Sequence, residues 1–122
     1  MTDFFITING IPVGTAAAGF AVTTDPQITA DQDNYSVPSG PFNELRLETD
    51  AVWNITGFAG DGTAQYLVVA NFGAFDLQIP NEDPGSLGQN RVITGTGATV
   101  VLQPDDTAIL IYDTASLRWR ML

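Results

Sequence analysis

No stretch of this chain keeps apolar residues at helical spacing for more than two turns, and that constrains its fold more than any other feature. The period that does recur is two. Phe4, Ile6 and Ile8 share one face of FFITI. Leu45 and Leu47 share a face of NELRLET, with Glu44, Arg46 and Glu48 opposite. Phe75, Leu77 and Ile79 repeat the pattern in AFDLQI. QYLVVANF, residues 65 to 72, is nearly continuous in apolar residues, the pattern of a central strand buried on both faces. RVIT, ATVVL, TAILIY and LRWRML follow, separated by Gly95-Thr96-Gly97, by Gln103-Pro104-Asp105-Asp106 and by Asp113 to Ser116, all turn formers. About eight short strands fill the last 80 residues or so. The expected fold is all-β: an antiparallel β-sandwich or barrel of jelly-roll type with an extended N-terminal arm.

The arm is expected over residues 1–42 and the body over 43–122. Asn9-Gly10 suits a tight hairpin turn, so residues 4–13 read as a small hairpin in which Pro12 must lie on an edge. Residues 14–42 shift to Ala, Thr, Asp, Gly and Pro, with short strands expected near FAVTT and QITA. Phe4 and Phe5 are adjacent and point to opposite sides of a strand. One small domain does not easily bury both, so one of them is expected at an interface with another subunit or protein. The first residues carry an acid and no basic stretch, so no secretory signal is expected.

Composition narrows the chemistry. A chain of 122 residues buries roughly two-thirds of its unfolded surface, enough for one core. Its net charge is −10, from fourteen acids against four arginines and no lysine. Phosphate-led nucleic-acid binding and attraction to an anionic membrane surface both need a basic surface, so neither is expected. No apolar run nears the ~20 residues of a membrane span. The chain has no histidine and no cysteine, which removes Ser-His and Cys-His nucleophile arrangements and zinc-thiolate sites.

The remaining candidate sites weaken on inspection. Asp31-Gln32-Asp33-Asn34 begins like a calcium loop, but the sixth position is Ser36 where glycine is needed and the twelfth is Phe42 where glutamate is needed. Glu44 and Glu48 lie on one strand face about 13 Å apart, too far for paired-carboxylate glycoside chemistry. Gly60-Asp61-Gly62 and Gly95-Thr96-Gly97 open no helix, so they read as turns rather than phosphate cradles. Trp53, Tyr66, Phe72, Phe75 and Trp119 could make a sugar-stacking platform; inward core positions are the simpler reading. No catalytic residue, metal or cofactor is assigned, and an enzyme is not expected.

Half of the positive charge sits on the last strand, as Arg118 and Arg120 flanking Trp119. Folding the last two strands about Asp113 to Ser116 sets Tyr112 against Leu117, Leu110 against Trp119 and Ala108 against Met121, an apolar inner face. The outer face then opposes Ile111 to Arg118 and Ile109 to Arg120. Isoleucine opposed twice to arginine marks a face that something covers, so these four residues are expected at a subunit or capsid interface, with Trp119 in the core; the alternative is that the arginines pair with carboxylates of the same chain on a solvated sheet.

A succession of weak marks adds a family likeness. These are Ile55-Thr56-Gly57, an apolar strand running into Asn71-Phe72-Gly73, Asn90-Arg91, Asp105-Asp106 before an apolar strand, and Tyr112-Asp113 leading into Arg-Trp-Arg. In this order, over residues 52–122, they resemble a small β-module of tailed-phage virion proteins, found at the ends of tail and head fibres and in short stand-alone proteins. The resemblance implies a non-enzymatic virion structural protein on the particle exterior, made in the host cytoplasm and usually trimeric. With only a short arm before the body, capsid decoration is expected, with the major capsid protein and other copies of itself as partners. The alternatives are a tail-fibre tip or adaptor that binds a receptor or glycan, and, third, a non-viral carbohydrate-binding module.

Overall fold

A computed structural model describes residues 5–8, 11–15 and 20–122, with side chains from residue 20 onward. Phe4 lies outside the described residues, and of Phe5 only the backbone is described. Phe5–Ile8 (β1) and Ile11–Thr15 (β2) pair antiparallel as the expected hairpin, in a two-stranded sheet of their own.

The rest is a β-solenoid of about four turns, not a sandwich, barrel or jelly roll. Phe20–Thr24 (β3), Phe42–Leu47 (β5) and Tyr66–Asn71 (β8) lie side by side and parallel. Phe20 pairs with Phe42 and Phe42 with Tyr66, so one coil takes 22 residues and the next 24. Between these strands the chain turns two more corners. Tyr35–Ser36 (β4) pairs parallel with Phe58–Ala59 (β7), and Trp53–Asn54 (β6) pairs parallel with Leu77–Ile79 (β9). β3 and β4, which fall in the stretch expected as an arm, thus pair with strands of the body.

Alternation alone could not separate these folds. It says which side chains point inward, and it reads the same for a strand that returns as a hairpin or as the next coil. The inward assignments of Leu45 and Leu47 are observed: both are buried, with Glu44 and Arg46 on the other side. Phe75 differs from its expected inward position and lies exposed beyond Gly73.

Past β9 the coils close. Val100–Leu102 (β11) runs antiparallel to β9, and Thr107–Asp113 (β12) runs antiparallel to β8. Arg118–Met121 (β13) returns beside β12, and Val92–Ile93 (β10) joins it in parallel. The principal sheet therefore has six strands in the order β10-β13-β12-β8-β5-β3. Its inner face, with the two smaller sheets, encloses one core that includes Leu45, Leu47, Ile55, Phe58, Leu67, Val69, Leu77, Leu110 and Trp119.

Polar side chains hold the corners. Asn71 Nδ2 donates to the carbonyls of Phe75 and Leu102 at 2.8 and 2.9 Å. Asn43 and Gln65 both donate to the carbonyls of Pro38 and Gly40. Thr56 Oγ1 lies 2.5 Å from Asp33 Oδ1 and 2.7 Å from Ser86 Oγ, which joins the first coil to the loop before β10. Gly57 has no room for a side chain there: a Cβ would stand 2.6 Å from Ser86 Oγ.

Trp119 is fully buried. Its indole N–H donates to the Phe58 carbonyl at 2.8 Å, and its ring meets those of Phe58 and Tyr112 edge-on. Trp119→Ala should cost about 3–5 kcal/mol in denaturant unfolding through the cavity it leaves. Gly57→Ala should cost about 1–3 kcal/mol through overpacking. Wild-type midpoints for both variants would refute this packing.

Candidate assembly face on the outer sheet

The outer face of the six-stranded sheet carries the most unusual chemistry among the described residues. Its strands present every second side chain outward, in register from coil to coil. One cross-strand row runs Phe20, Phe42, Tyr66, Ile111, Arg120, Ile93. The next runs Val22, Glu44, Val68, Ile109. The rings of Phe42 and Tyr66 stack with centroids 5.4 Å apart and planes within 11°. Val22, Tyr66, Ile109 and Leu122 are 55, 43, 45 and 73% exposed, so the patch is open to water in a single copy.

QYLVVANF reads as a strand buried on both faces, and the structure corrects that. Leu67, Val69 and Asn71 point into the core, while Tyr66, Val68 and Ala70 face outward and keep partial or full exposure. The parallel part of a sheet normally has both faces covered. Here β8 and β12, the central strands, keep an outer face of valine, isoleucine and tyrosine with nothing over it among the described residues. Val22, Phe42, Tyr66 and Val68 were missed as face residues because their strands read as arm or as core. The apolar run over 65–72 holds Tyr66 and Val68 but reads the same for a doubly buried strand, and nothing in the sequence marked Val22 or Phe42.

The expected interface residues separate into two kinds. Ile109 and Ile111 lie on this face as expected. Arg118 and Arg120 also point outward from β13, but each is held within the chain. Arg118 Nε donates to Glu82 Oε1 at 2.6 Å, and Arg120 Nε donates to Asp113 Oδ2 at 2.8 Å. The hairpin register also differs from expectation by two residues. Tyr112 faces Trp119, Leu110 faces Met121, Ile111 faces Arg120 and Asp113 faces Arg118. The loop takes in Leu117, which adopts φ 54°. A two-residue slip preserves the faces, so Trp119 stays inward and both arginines outward.

The charge distribution follows the sheet. Arg46, Arg118 and Arg120 lie on its strands and Arg91 immediately precedes β10, so all four arginines of a chain with fourteen acids gather here. The Arg46 guanidinium lies 5.0 Å above the Phe72 ring centroid.

The other candidates are fasteners rather than sites. An open cavity of about 520 Å³ on the first coil is lined by Asp25, Gln32, Asp33, Asn34 and Tyr35 among others. Tyr35 donates its hydroxyl to Asp25 Oδ2 at 2.6 Å, and burial with that carboxylate raises the phenol's pKa above its usual range. Asp33 and Asn34 already accept from Thr56 and from the Leu87 N–H and Asn90 amide. Among the described residues no three acids gather to hold a metal ion. Of the residues proposed as a sugar platform, Trp119 is in the core, Tyr66 and Phe75 are exposed on different elements, and Trp53 is half-buried with its N–H on Asp50. The marks of family likeness also serve the frame. Ile55 is buried, Thr56 and Asn71 make the corner bonds, and the Asp105 N–H donates to the Asn71 carbonyl.

No protein-family profile, curated protein or solved structure matches the chain.

Asp113 offers a direct check of the last hairpin. The Arg120 hydrogen bond first, then those from Ser116 and the Ala115 N–H, hold its carboxyl down at about 2. A depressed folded pKa means a contribution to stability that is present above the ordinary value of ~3.9 and lost as pH falls through about 2. A carboxyl NMR titration should find that midpoint, and Arg120→Ala should raise it. An ordinary aspartate midpoint in the parent would contradict the pairing.

Proposed function

We propose that this chain is a non-enzymatic structural protein of a phage particle that works as an oligomer, a homotrimer in the form the resemblance implies, and decorates the capsid exterior. The observation that carries the assembly part is the outer face of β3, β5, β8 and β12, where Val22, Tyr66 and Ile109 stay exposed beside Glu44 with nothing over them among the described residues, an apolar row that single soluble domains rarely leave open.

The chain's own charge favours copies of itself as the first occupants. A body of net charge −10 repels its like, except where positive groups are concentrated. The four arginines lie on or beside this one sheet, so it is the face on which two acidic copies repel least. A short solenoid then acts as a rigid block: its inner face makes the core and its outer face makes the contact. The particle position comes from the likeness over residues 52–122. A fibre tip is the second reading. It is favoured by the antiparallel strands β11, β12 and β13, which close one end of the coil stack as an end-piece would be closed.

Light scattering should report a multiple of 13.0 kDa for the parent. Val68→Glu with Ile109→Glu should shift it to the single-copy mass while circular dichroism stays unchanged. A parent that stays at single-copy mass at high concentration overturns the assembly reading. On phage particles that carry the protein, antibody to it should label the capsid surface. Labelling of tail tips would select the second reading, and absence from particles would end both.

A further inference from the structure

The open edge of the principal sheet points to how the copies join. β3 is the last strand of that sheet: β5 pairs along one side, and no described strand pairs along the other. Natural edges are kept from pairing by charge, proline, bulges or shortness. Within its five residues β3 has none of these; a charge and a proline come only after it, at Asp25 and Pro26. It reads Phe-Ala-Val-Thr-Thr over five residues, without charge or proline, and three of the five are β-branched. β10, the opposite edge of the same sheet, is two residues long, as is β6 at the edge of the three-stranded sheet. β11, at that sheet's other edge, is three residues long.

The chain also holds strands that need a sheet. β1 and β2 form a two-stranded sheet by themselves, and such a hairpin is marginal alone in water. The two strands are not equivalent. β2 contains Pro12, which lacks the N–H that an interior ladder requires, so β2 suits an outer edge. β1 has no proline and can be interior. The hairpin should therefore dock through β1 and leave β2 as the new, protected edge.

We infer that the open edge of β3 in one copy receives β1 of the hairpin from a second copy of this chain. Pairing within one copy is disfavoured by connectivity. Only residues 16–19 link β2 to β3, so direct docking would put proline-bearing β2 beside β3. Docking through β1 would make that short link pass over β1, a crossing that sheets avoid. A neighbour's hairpin has no such tether. The contact is heterologous, with hairpin of one copy on edge of the next, and it closes when the rotation completes a ring, as a trimer does. This rests on the oligomeric reading above.

The chain has no cysteine, so introduced thiols report alone. Full-length copies with one cysteine at each of positions 5–8 are mixed with copies carrying one at each of positions 21–24, which covers every register, and are treated with a short bismaleimide. Cross-linked mixed dimers should dominate for at least one pair, and Val22→Pro in the acceptor should abolish them. Copies carrying both cysteines should give the same between-copy product. A cross-link that forms only within one doubly substituted copy, or none in any pair, overturns strand exchange. If cross-links are absent while Val68→Glu with Ile109→Glu still lowers the assembly mass, the outer-face reading stands and only the strand exchange fails. If the parent is a single copy throughout, both fail.

Discussion

The parallel alignment of β5 between β3 and β8 is the constraint on which the rest of the structure depends. No coil of 22 or 24 residues can bury its own inner side chains, because it presents at most a single short row of three to a wall, as Asn43, Leu45 and Leu47 do on β5. Stacking in register places Leu45 beside Val69, while Asn43 and Asn71 secure the corners with their amides. The fold is therefore as stable as its coil-to-coil ladders, and the antiparallel strands at the C-terminal end keep the last coil from exposing its core. Trp119 sits where that closing hairpin meets the coils, bonded to Phe58 of the second.

The same stacking creates the exposed outer surface. Registered coils align outward residues as strictly as inward ones. A pattern that buries leucine inside therefore builds an unbroken row of Phe42, Tyr66 and Ile111 outside. In a sandwich, a second sheet would cover one such face. In this solenoid none of the described residues does. On the proposed reading, the arginine-bearing strands make this face the least repulsive approach for another acidic body, which links the charge pattern of the sequence to assembly.

Much of the strand content was legible. Leu45, Leu47 and Trp119 are inward, Glu44 and Arg46 are outward, and the hairpin near Asn9-Gly10 is observed. The relation between strands was not legible, because a period of two carries no information about parallel or antiparallel neighbours. Coil repeats could have revealed it, but Phe20, Phe42 and Tyr66 share only their aromatic character, and the repeat changes length by two residues. The last hairpin slipped by two because Leu117 accepts a positive φ that its side chain disfavours, which lengthens the loop. Of the outer face, the outward side of Ile109 and Ile111 was legible from strand alternation, although the oppositions expected for them, to Arg120 and Arg118, are not the ones observed. Val68 and Tyr66 were not, since an apolar run reads identically whether its outer face meets its own fold or a neighbour's.

The central claim is that the outer face of the six-stranded sheet is open in one copy and covered between copies. Methyl relaxation by a soluble paramagnetic agent measures this at Val68 and Ile109 directly, with Val69 and Leu110 as buried references. The account predicts strong relaxation of Val68 and Ile109 in dilute protein, falling toward the level of the references as concentration rises. Equal, strong relaxation of the two outer methyls at every concentration would contradict it.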